Sequence, residues 1–277
     1  MKRNLWEKVI VWMELGITMI ALCTGCGNTQ DSGAVEEQAL MPIIVGSDDY
    51  PPYSYPDTDG DPTGIDVELA TEAFHRMGYE PVFSYINWEE KKTLLEDGQI
   101  DCIWCSFTMD GREEMYKWSG PYMISRQVIA VNKDSDIYTL EDLEGKNIAV
   151  QSTTKPEELF VSRSDPRIPE IGELFSLQNR ELLYPFLSKG YADAIAAHET
   201  SILQCMSDYD LEYRILDEPL LNVGLGVAFS LSDDRGLDEE LSRTLKEMQA
   251  DGTTEQIIGK YLENPKNYLW EVSDEEK

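Results

Sequence analysis

The sequence predicts an α/β protein of two related lobes with a ligand cleft between them. The pattern L-x-x-G-x-x-D, followed by a small residue and Ile, occurs at Leu95–Ile103 and again at Leu187–Ile195. Each copy is typical of a helix end closed by a left-handed glycine, with a strand beginning at the Asp. A second similarity joins Ile43–Ser47 to Asn147–Ser152, where an apolar strand runs into small polar residues. Because parallel α/β sheets bind ligands beyond the carboxyl ends of their strands, we expect the site between the lobes.

Strands and helices alternate along most of the chain. Short apolar runs predict strands at 43–45, 82–85, 102–105, 128–131, 147–150, 192–196, 213–216 and 223–229. Apolar residues at helical spacing predict helices at 65–77, 88–97, 180–189, 200–206, 237–250 and 253–262, with shorter pieces after Thr139 and at 152–158. Gly78 and Gly252 end two of these helices, Asn87 caps one, and Pro156 lies in a first turn. We expect the polar loop at 106–112 to lead into a further short helix.

The N-terminal segment has the order of an export signal. A basic start at Met1–Asn4 precedes an apolar stretch from Val9 to Leu22, which is shorter than the roughly 20 apolar residues that span a bilayer. A small residue before Cys26 and Gly-Asn after it resemble a bacterial lipoprotein signal, in which this cysteine becomes lipid-modified. We expect a signal peptide at 1–26 and a flexible tether at 27–40, with the protein held by its lipid at the outer face of a bacterial cell membrane. An ordinary N-terminal helix is the alternative.

The charge of the chain excludes one class of partner. The chain carries 53 acidic and 23 basic residues, which gives a formal net charge of −30. Since such a chain repels a phosphate backbone, nucleic acid is not expected as a partner. The acids are scattered through the sequence, which is typical of a solvated surface.

Three cysteines follow the predicted signal peptide, too few for a dense disulfide framework. Cys102 and Cys105 lie three apart on a predicted strand, so their side chains point to opposite faces, and a mutual bridge or metal clip is not expected. Cys205 is left without an obvious partner. With His75 and His198 as the two histidines, the sequence gives little support to a zinc site. We therefore predict buried thiols, no metal and no cofactor.

Eight short motifs occur in a fixed order over most of the chain. They are Val45–Asp48 running into Tyr50–Tyr53, Gly64–Val67, Leu95–Asp101, Thr108 with Arg112, Ser119–Tyr122, Leu140–Val150, Gly190–Ala194 and Leu245–Thr253. In this order they resemble the extracellular solute-binding proteins of amino-acid ABC importers. The resemblance extends from Ile43 to Leu262.

The resemblance implies a two-lobed, type II periplasmic-binding-protein-like fold with two crossover strands. Lobe 1 is then discontinuous, with 41–124 as its first part and 226–264 as its second, while 125–225 forms lobe 2 with the hinge strands. Residues 265–277 are left as a C-terminal tail. The family closes its two lobes around a solute, and the closed form is recognised by the membrane permease. The expected partners are therefore an amino acid or similar small solute and an ABC permease, and we expect a monomer.

A free amino acid brings a carboxylate, for which we select Arg112. The planar fork of an arginine makes two parallel charge-assisted hydrogen bonds to a carboxylate. Ser106 and Thr108 are expected to assist from lobe 1, and Thr153 and Thr154 from a helix N-terminus in lobe 2. The alternative for Arg112 is a surface ion pair with a neighbouring acid, Glu113 or Glu114.

The resemblance places Tyr50, Tyr53 and Trp88 where the family has pocket aromatics. Rings that pack on an amino acid supply contact area and geometric preference. Cys105 is also included among the ligand-binding positions. Any of the aromatic residues could instead belong to the hydrophobic core, Tyr53 above all.

The chain departs from the family at the position that answers the ammonium group. The family usually has an Asp five residues after the Asp of the second repeat, and this chain has His198, followed by Glu199. A neutral imidazole accepts one hydrogen bond but offers no full negative charge, so Glu199, Asp48 or Asp49 could take the role. The alternatives are a buried polar histidine or a solute that is not a standard α-amino acid.

An exported enzyme on the same fold is the main alternative function. The fold also occurs in dehydratases that act on small cyclic acids, and His198 with Glu199 near Arg112 could perform acid–base chemistry. The sequence has no hydrolase, metalloprotease, P-loop or dinucleotide-binding motif in the right place. A receptor sensor domain would need a second membrane segment or a signalling domain, and the sequence shows neither. We therefore expect a binding protein and no enzyme.

Overall fold

Eleven strands form within residues 39–270, which are the residues that the computed structural model describes. In chain order they are β1 (Met41–Ser47), β2 (Tyr55–Pro56), β3 (Pro62–Thr63), β4 (Tyr79–Tyr85), β5 (Cys102–Thr108), β6 (Lys117–Asn132), β7 (Ile148–Gln151), β8 (Leu174–Leu177), β9 (Ala194–His198), β10 (Tyr213–Ile215) and β11 (Leu221–Phe229). Nine of them form one mixed sheet in the order β4-β1-β5-β11-β6-β9-β7-β8, with β10 beside β6, while β2 and β3 make a small ribbon. β8, β2 and β3 were not predicted.

Seven α-helices cover the sheet in the described part of the chain. They are α1 (Ile65–Arg76), α2 (Lys91–Glu96), α3 (Lys155–Ser162), α4 (Leu183–Ser188), α5 (Glu199–Tyr209), α6 (Leu237–Ala250) and α7 (Thr253–Ile258). Short 3₁₀ turns at Trp88–Glu90 and Arg180–Leu182 lead into α2 and α4. The bounds of α6 agree with the prediction, whereas α7 ends four residues earlier than predicted.

The short helix predicted after the polar loop is wrong. Residues 109–116 form successive turns, in which the N–H groups of Arg112 and Met115 donate to Met109 and Arg112. Tyr116 packs edge-on against Phe107 and Trp118, with ring centroids 5.5 Å apart in both pairs. This aromatic packing fixes the segment against β5 and β6, and the polarity of the loop gave no indication of it.

β6 is far longer than the four-residue strand predicted at its C-terminal end. It runs for 16 residues and pairs with β11 over its first part and with β9 over its last. The sequence Gly120-Pro121 looks like a strand breaker, but it lies in a bulge of β6, where the three residues between Ser119 and Met123 face the one residue between Leu225 and Val227 of β11. Because a proline inside a bulge need not donate to the ladder, the strand continues through it.

The repeated motif performs the same structural task twice. Gly98 and Gly190 both adopt left-handed backbone conformations, with φ of 69° and 71°, and end the preceding helix. Asp101 then accepts the backbone N–H of Ile44 at 2.7 Å, and Asp193 accepts that of Asn147 at 2.8 Å. Each Asp therefore ties the helix–strand joint to the neighbouring parallel strand.

The hydrophobic core has three parts. The largest packs α1, α6 and α7 against β1, β5 and β11, and is centred on large buried side chains such as Phe74 and Trp104. The other two lie on opposite faces of the sheet formed by β7, β9 and the end of β6, one containing Ile129 and the other Val128. β6 and β11 are the strands shared between the first core and the other two. The lobe boundaries at 41–124, 125–225 and 226–264 stay predictions.

Cys102, Cys105 and Cys205 are buried and free of disulfides, as predicted. Within residues 39–270, no helix has the length and apolar character that spanning a bilayer requires. Cys26 and the predicted signal peptide lie outside the described residues.

Candidate functional site

A pocket lies where the carboxyl ends of β1, β5, β7 and β9 face each other. Including its open mouth, it has a volume of about 390 Å³. The residues that line it are Tyr50, Trp88, Cys105, Ser106, Phe107, Thr108, Arg112, Gln127, Gln151, Thr153, Thr154, Lys155, Pro156, Arg180, Ala196, Ala197 and His198. The pocket therefore occupies the cleft position that the sequence predicted.

Nine of the predicted site residues line this pocket, and three do not. Glu199 lies outside it and pairs with Arg126 at 2.9 Å. Tyr53 is fully buried behind the pocket, as the core alternative expected. Asp48 lies behind the lining residues, where its Oδ2 accepts hydrogen bonds from Gln151 and Arg180.

Arg112 is held from behind and presents its guanidinium to the pocket. The side chain is about 10% exposed, Nη1 donates to the Thr108 carbonyl at 3.3 Å, and the guanidinium carbon lies 5.2 Å from the centre of the Phe107 ring. Its nearest acid is Glu158, which forms an ion pair with Nη2 at 3.7 Å, a separation beyond hydrogen-bond distance. Neither Glu113 nor Glu114 forms an ion pair with it among the described residues. The fork therefore keeps donors available for an anion in the pocket.

Ser106 is held in an unusual conformation by a buried carboxyl. Its φ is 42°, in the left-handed region that is strained for a residue other than Gly. Its N–H donates to Asp66 Oδ2 at 2.6 Å, and the Tyr122 hydroxyl donates to Asp66 Oδ1 at 2.9 Å. Burial raises the pKa of Asp66 to about 7. Asp66 thus positions the end of β5, although the sequence indicated it only as part of a motif.

Thr153 repeats this left-handed geometry on the other side of the pocket, with φ of 58°. Its N–H donates to Glu157 Oε2 at 2.5 Å, and its hydroxyl accepts from Lys91 Nζ at 2.7 Å. Lys91 is buried, and this burial lowers its pKa to about 7. The start of α3 is therefore held against the lobe 1 segment that carries Trp88.

His198 is a neutral, fully partnered group at the end of β9. The residue is 5% exposed, Nδ1 lies 2.8 Å from the Ser125 hydroxyl, and the backbone N–H donates to the Tyr50 hydroxyl at 3.1 Å. Burial, and secondly the positive charge of Arg180, lower the pKa of His198 to about 3. At neutral pH the imidazole therefore brings no charge to the pocket.

Arg180 and Gln151 are pocket residues that the sequence analysis missed. Arg180 enters at the 3₁₀ turn before α4, is 8% exposed, and stacks with its guanidinium carbon 3.3 Å from the centre of the Tyr50 ring. Gln151 is the last residue of β7. Its position at the carboxyl end of a parallel strand was a usable signal, whereas Arg180 looked like an ordinary helix start.

Several hydrogen bonds join the predicted lobes across the pocket. Tyr53 Oη lies 2.7 Å from Thr200 Oγ1 and 3.2 Å from Ser125 Oγ. Nearer the mouth, the Ser152 hydroxyl donates to Glu89 Oε1 at 2.7 Å. With the contacts of Asp48, Tyr50 and Lys91 described above, these bonds hold the two sides together.

Comparison with known proteins gives consistent matches over this whole region. The family model for bacterial extracellular solute-binding proteins, family 3, matches residues 43–264. The glutamate-binding protein GluB of Corynebacterium glutamicum is 25% identical over 89% of this chain and 86% of its own length. The arginine-binding extracellular protein ArtP of Bacillus subtilis is 29% identical over 90% of this chain and 98% of its own length.

Among solved structures, an ancestral arginine-binding protein bound to glutamine has a TM-score of 0.72 and 25% identity, covering 80% of this chain and 97% of that protein. The match confirms the predicted two-lobed α/β fold. These proteins are described as glutamate-binding, as arginine-binding, and as an arginine-binding protein bound to glutamine, so similarity alone does not identify the solute of this chain.

Proposed function

Because the chain belongs to bacterial extracellular solute-binding protein family 3, we propose that it captures an amino acid or a related small carboxylated solute and delivers it to an ABC permease. The relatives named above are amino-acid-binding proteins. The family membership supports an extracytoplasmic location.

The observation that carries this proposal is the placement of Arg112. A buried guanidinium is costly unless it is well paired. The Arg112 side chain is about nine-tenths buried, and its ion pair with the half-exposed Glu158, at 3.7 Å, is too long for a hydrogen bond. A solute carboxylate that enters the pocket would accept two charge-assisted hydrogen bonds from this fork. Ser106 and Thr108 lie beside it on the pocket wall and supply further polar groups.

We propose that binding closes the two lobes. The hydrogen bonds that cross the pocket support a specific geometry for the closed form, since they join segments that are distant in the sequence. Closure would remove the solute from water and strengthen each charged contact.

We further propose a monomer anchored through a lipid on Cys26. The order of the N-terminal sequence supports the lipid anchor.

The side chains that line the pocket suit a binding protein better than an acid–base catalyst. General acid–base chemistry works best with a pKa near the operating pH. The pKa of His198 is lowered to about 3, and none of the residues that line the pocket in the described part of the chain is an Asp or Glu. We therefore propose a transport role in preference to the dehydratase-like alternative.

Arg112→Ala tests the proposal in a thermal-shift screen of the twenty amino acids, followed by calorimetry on those that stabilise the protein. The loss of a bidentate pair in a desolvated cleft costs about 2–5 kcal/mol, so we expect no measurable stabilisation of the variant. The matched control is Arg243→Ala, which removes an exposed arginine of α6 away from the pocket lining. If Arg112→Ala bound the solute as tightly as the parent and the control, the carboxylate assignment would be wrong.

A further inference from the structure

The charges that line the pocket have one sign. Arg112, Lys155 and Arg180 are its charged members, and no carboxylate side chain lines it within residues 39–270. Glu158 is bonded to Lys155 at 2.7 Å, but it is about half exposed at the rim, where solvent screens its charge. Asp48 is the partly buried acid nearby; it forms an ion pair with Arg180 at 3.1 Å and also accepts from Gln151, and its side chain does not line the pocket. A second guanidinium therefore lines the pocket together with Arg112.

Arg180 has unused capacity to bind an anion. Its Nη2 donates to Asp48 Oδ2 at 3.1 Å, and the stacking on Tyr50 fixes the plane of the guanidinium. Its Nε is buried and has no hydrogen-bond partner in the described part of the chain. Since a buried donor without a partner is costly, this nitrogen is a feature that a ligand would satisfy.

Two buried amide oxygens offer an uncharged site for an ammonium group. Gln151 Nε2 donates to the Asp48 carboxylate, and because a carboxylate at neutral pH only accepts, this contact fixes the orientation of the amide. Gln151 Oε1 is then a buried acceptor, and neither it nor Gln127 Oε1 has a partner among residues 39–270. Both glutamines line the pocket and are at least 97% buried.

The histidine at position 198 completes this arrangement. A carboxylate at this place would add a negative charge to the pocket wall, whereas the neutral imidazole adds none. The Ser125 hydroxyl and the Tyr50 hydroxyl hold its ring and its backbone, so the residue is a fixed part of the wall.

We propose that the solute is an amino acid with an anionic side chain, such as L-glutamate or L-aspartate. Arg112 binds its α-carboxylate, Arg180 binds its second anionic group, and the free oxygens of Gln151 and Gln127 accept from its ammonium. This inference rests on the proposed function and specifies its substrate class. It separates the chain from relatives that are named for arginine.

Calorimetry with matched solutes tests the substrate class on the unmodified protein. L-glutamate and L-glutamine differ in one charge at similar size, as do L-aspartate and L-asparagine, while L-arginine reverses the charge and glutarate lacks the ammonium. We expect at least one acidic amino acid to bind about tenfold or more tightly than its amide and than L-arginine, and to bind more tightly than glutarate. Tighter binding of an amide or of L-arginine would overturn the substrate class while leaving the proposed function in place. Equal binding of glutarate would overturn the role of the two glutamines.

Arg180→Gln tests the second anion site directly, because glutamine removes the charge and retains a donor for Asp48. We expect its affinity for the acidic amino acid to fall by about tenfold or more, with the preference over the corresponding amide lost. Arg167→Gln is the control, since Arg167 lies in lobe 2, away from the pocket lining, and pairs with Asp165 and Glu218. If Arg180→Gln kept the preference for the acidic amino acid over its amide, the assignment of Arg180 as the second anion site would be wrong. If the unmodified protein bound no amino acid at all, the proposed function itself would be wrong.

Discussion

Tyr53→Phe separates the stability of the closed form from that of the fold. The Tyr53 hydroxyl is buried and contacts Thr200 Oγ1 at 2.7 Å and Ser125 Oγ at 3.2 Å, so its removal deletes two hydrogen bonds between the predicted lobes. At about 0.5–1.5 kcal/mol for each bond, the closed form loses roughly 1–3 kcal/mol. Since 1.4 kcal/mol is a factor of ten, we expect the solute to bind about 5- to 100-fold more weakly.

If these bonds form only on closure, the loss appears only with solute present. We therefore expect calorimetry to report weaker binding, while the melting temperature of the solute-free variant stays within about 2 °C of the parent. Tyr213→Phe is the control, because the Tyr213 hydroxyl also makes two contacts, to the Ser188 hydroxyl at 2.5 Å and the Tyr184 carbonyl at 3.0 Å, which are partly buried and lie within the predicted lobe 2. We expect the control to lower the melting temperature and leave the affinity unchanged. The opposite result for Tyr53→Phe, a lower melting temperature with full affinity, would refute the closure argument.

Two further predictions concern stability. His198→Gln tests the buried imidazole. The pKa of His198 is about 3 in the folded protein and about 6.5 in the unfolded chain, so between these pH values only the unfolded chain binds the proton. The stability that His198 contributes is therefore fully present above about pH 6.5 and falls as the pH drops. We expect urea unfolding of the parent to lose about 2 kcal/mol more than the variant between pH 6.5 and 5, and parallel pH profiles would contradict the assignment. Asp101→Ala and Asp193→Ala each release one backbone N–H, that of Ile44 or of Asn147, and we expect about 1 kcal/mol of destabilisation in each. Asp101 also pairs with Arg235 at 2.8 Å, so we expect Asp101→Ala to destabilise the protein at least as much as Asp193→Ala. A large loss of stability in Asp193→Ala alone would show that the two motifs are not equivalent.

The sequence predicted the fold well because its main signals are local. The left-handed glycines, the helix caps and the apolar strands each act within a few residues, and the structure confirms most of the elements that they predicted. The repeat was informative because its Gly ends a helix and its Asp begins a strand in both copies, although the backbone N–H that each Asp accepts belongs to a distant segment. β6 was underpredicted because a local rule, that Gly-Pro interrupts a strand, does not hold when the Gly-Pro lies in a bulge of its own strand, where the missing donor is not needed.

The site was predicted less completely because its chemistry depends on contacts between distant segments. Ser106 and Arg112 lie at or just after the end of β5, and Thr153 lies between the end of β7 and the start of α3. Their place in the pocket could therefore be anticipated. Arg180 could not be, since its position depends on Tyr50 and Asp48, which lie more than 100 residues earlier in the sequence. The sequence showed that His198 replaces the Asp that is usual in the family. That the imidazole is neutral became clear only from its burial in the structure.

The acidic surface of the protein does not argue against an anionic solute. The chain has a net charge of −30, but charges farther apart than the Debye length, about 8 Å at physiological ionic strength, are largely screened when they are exposed. Arg112 and Arg180 are buried, where screening is weak and a contact with a carboxylate is strong. Net charge therefore acts on the approach of the solute, whereas in our proposal the two arginines select the solute that stays bound. For the same reason, the sign of the charge lining the pocket is a better guide to the ligand of such a protein than its overall composition.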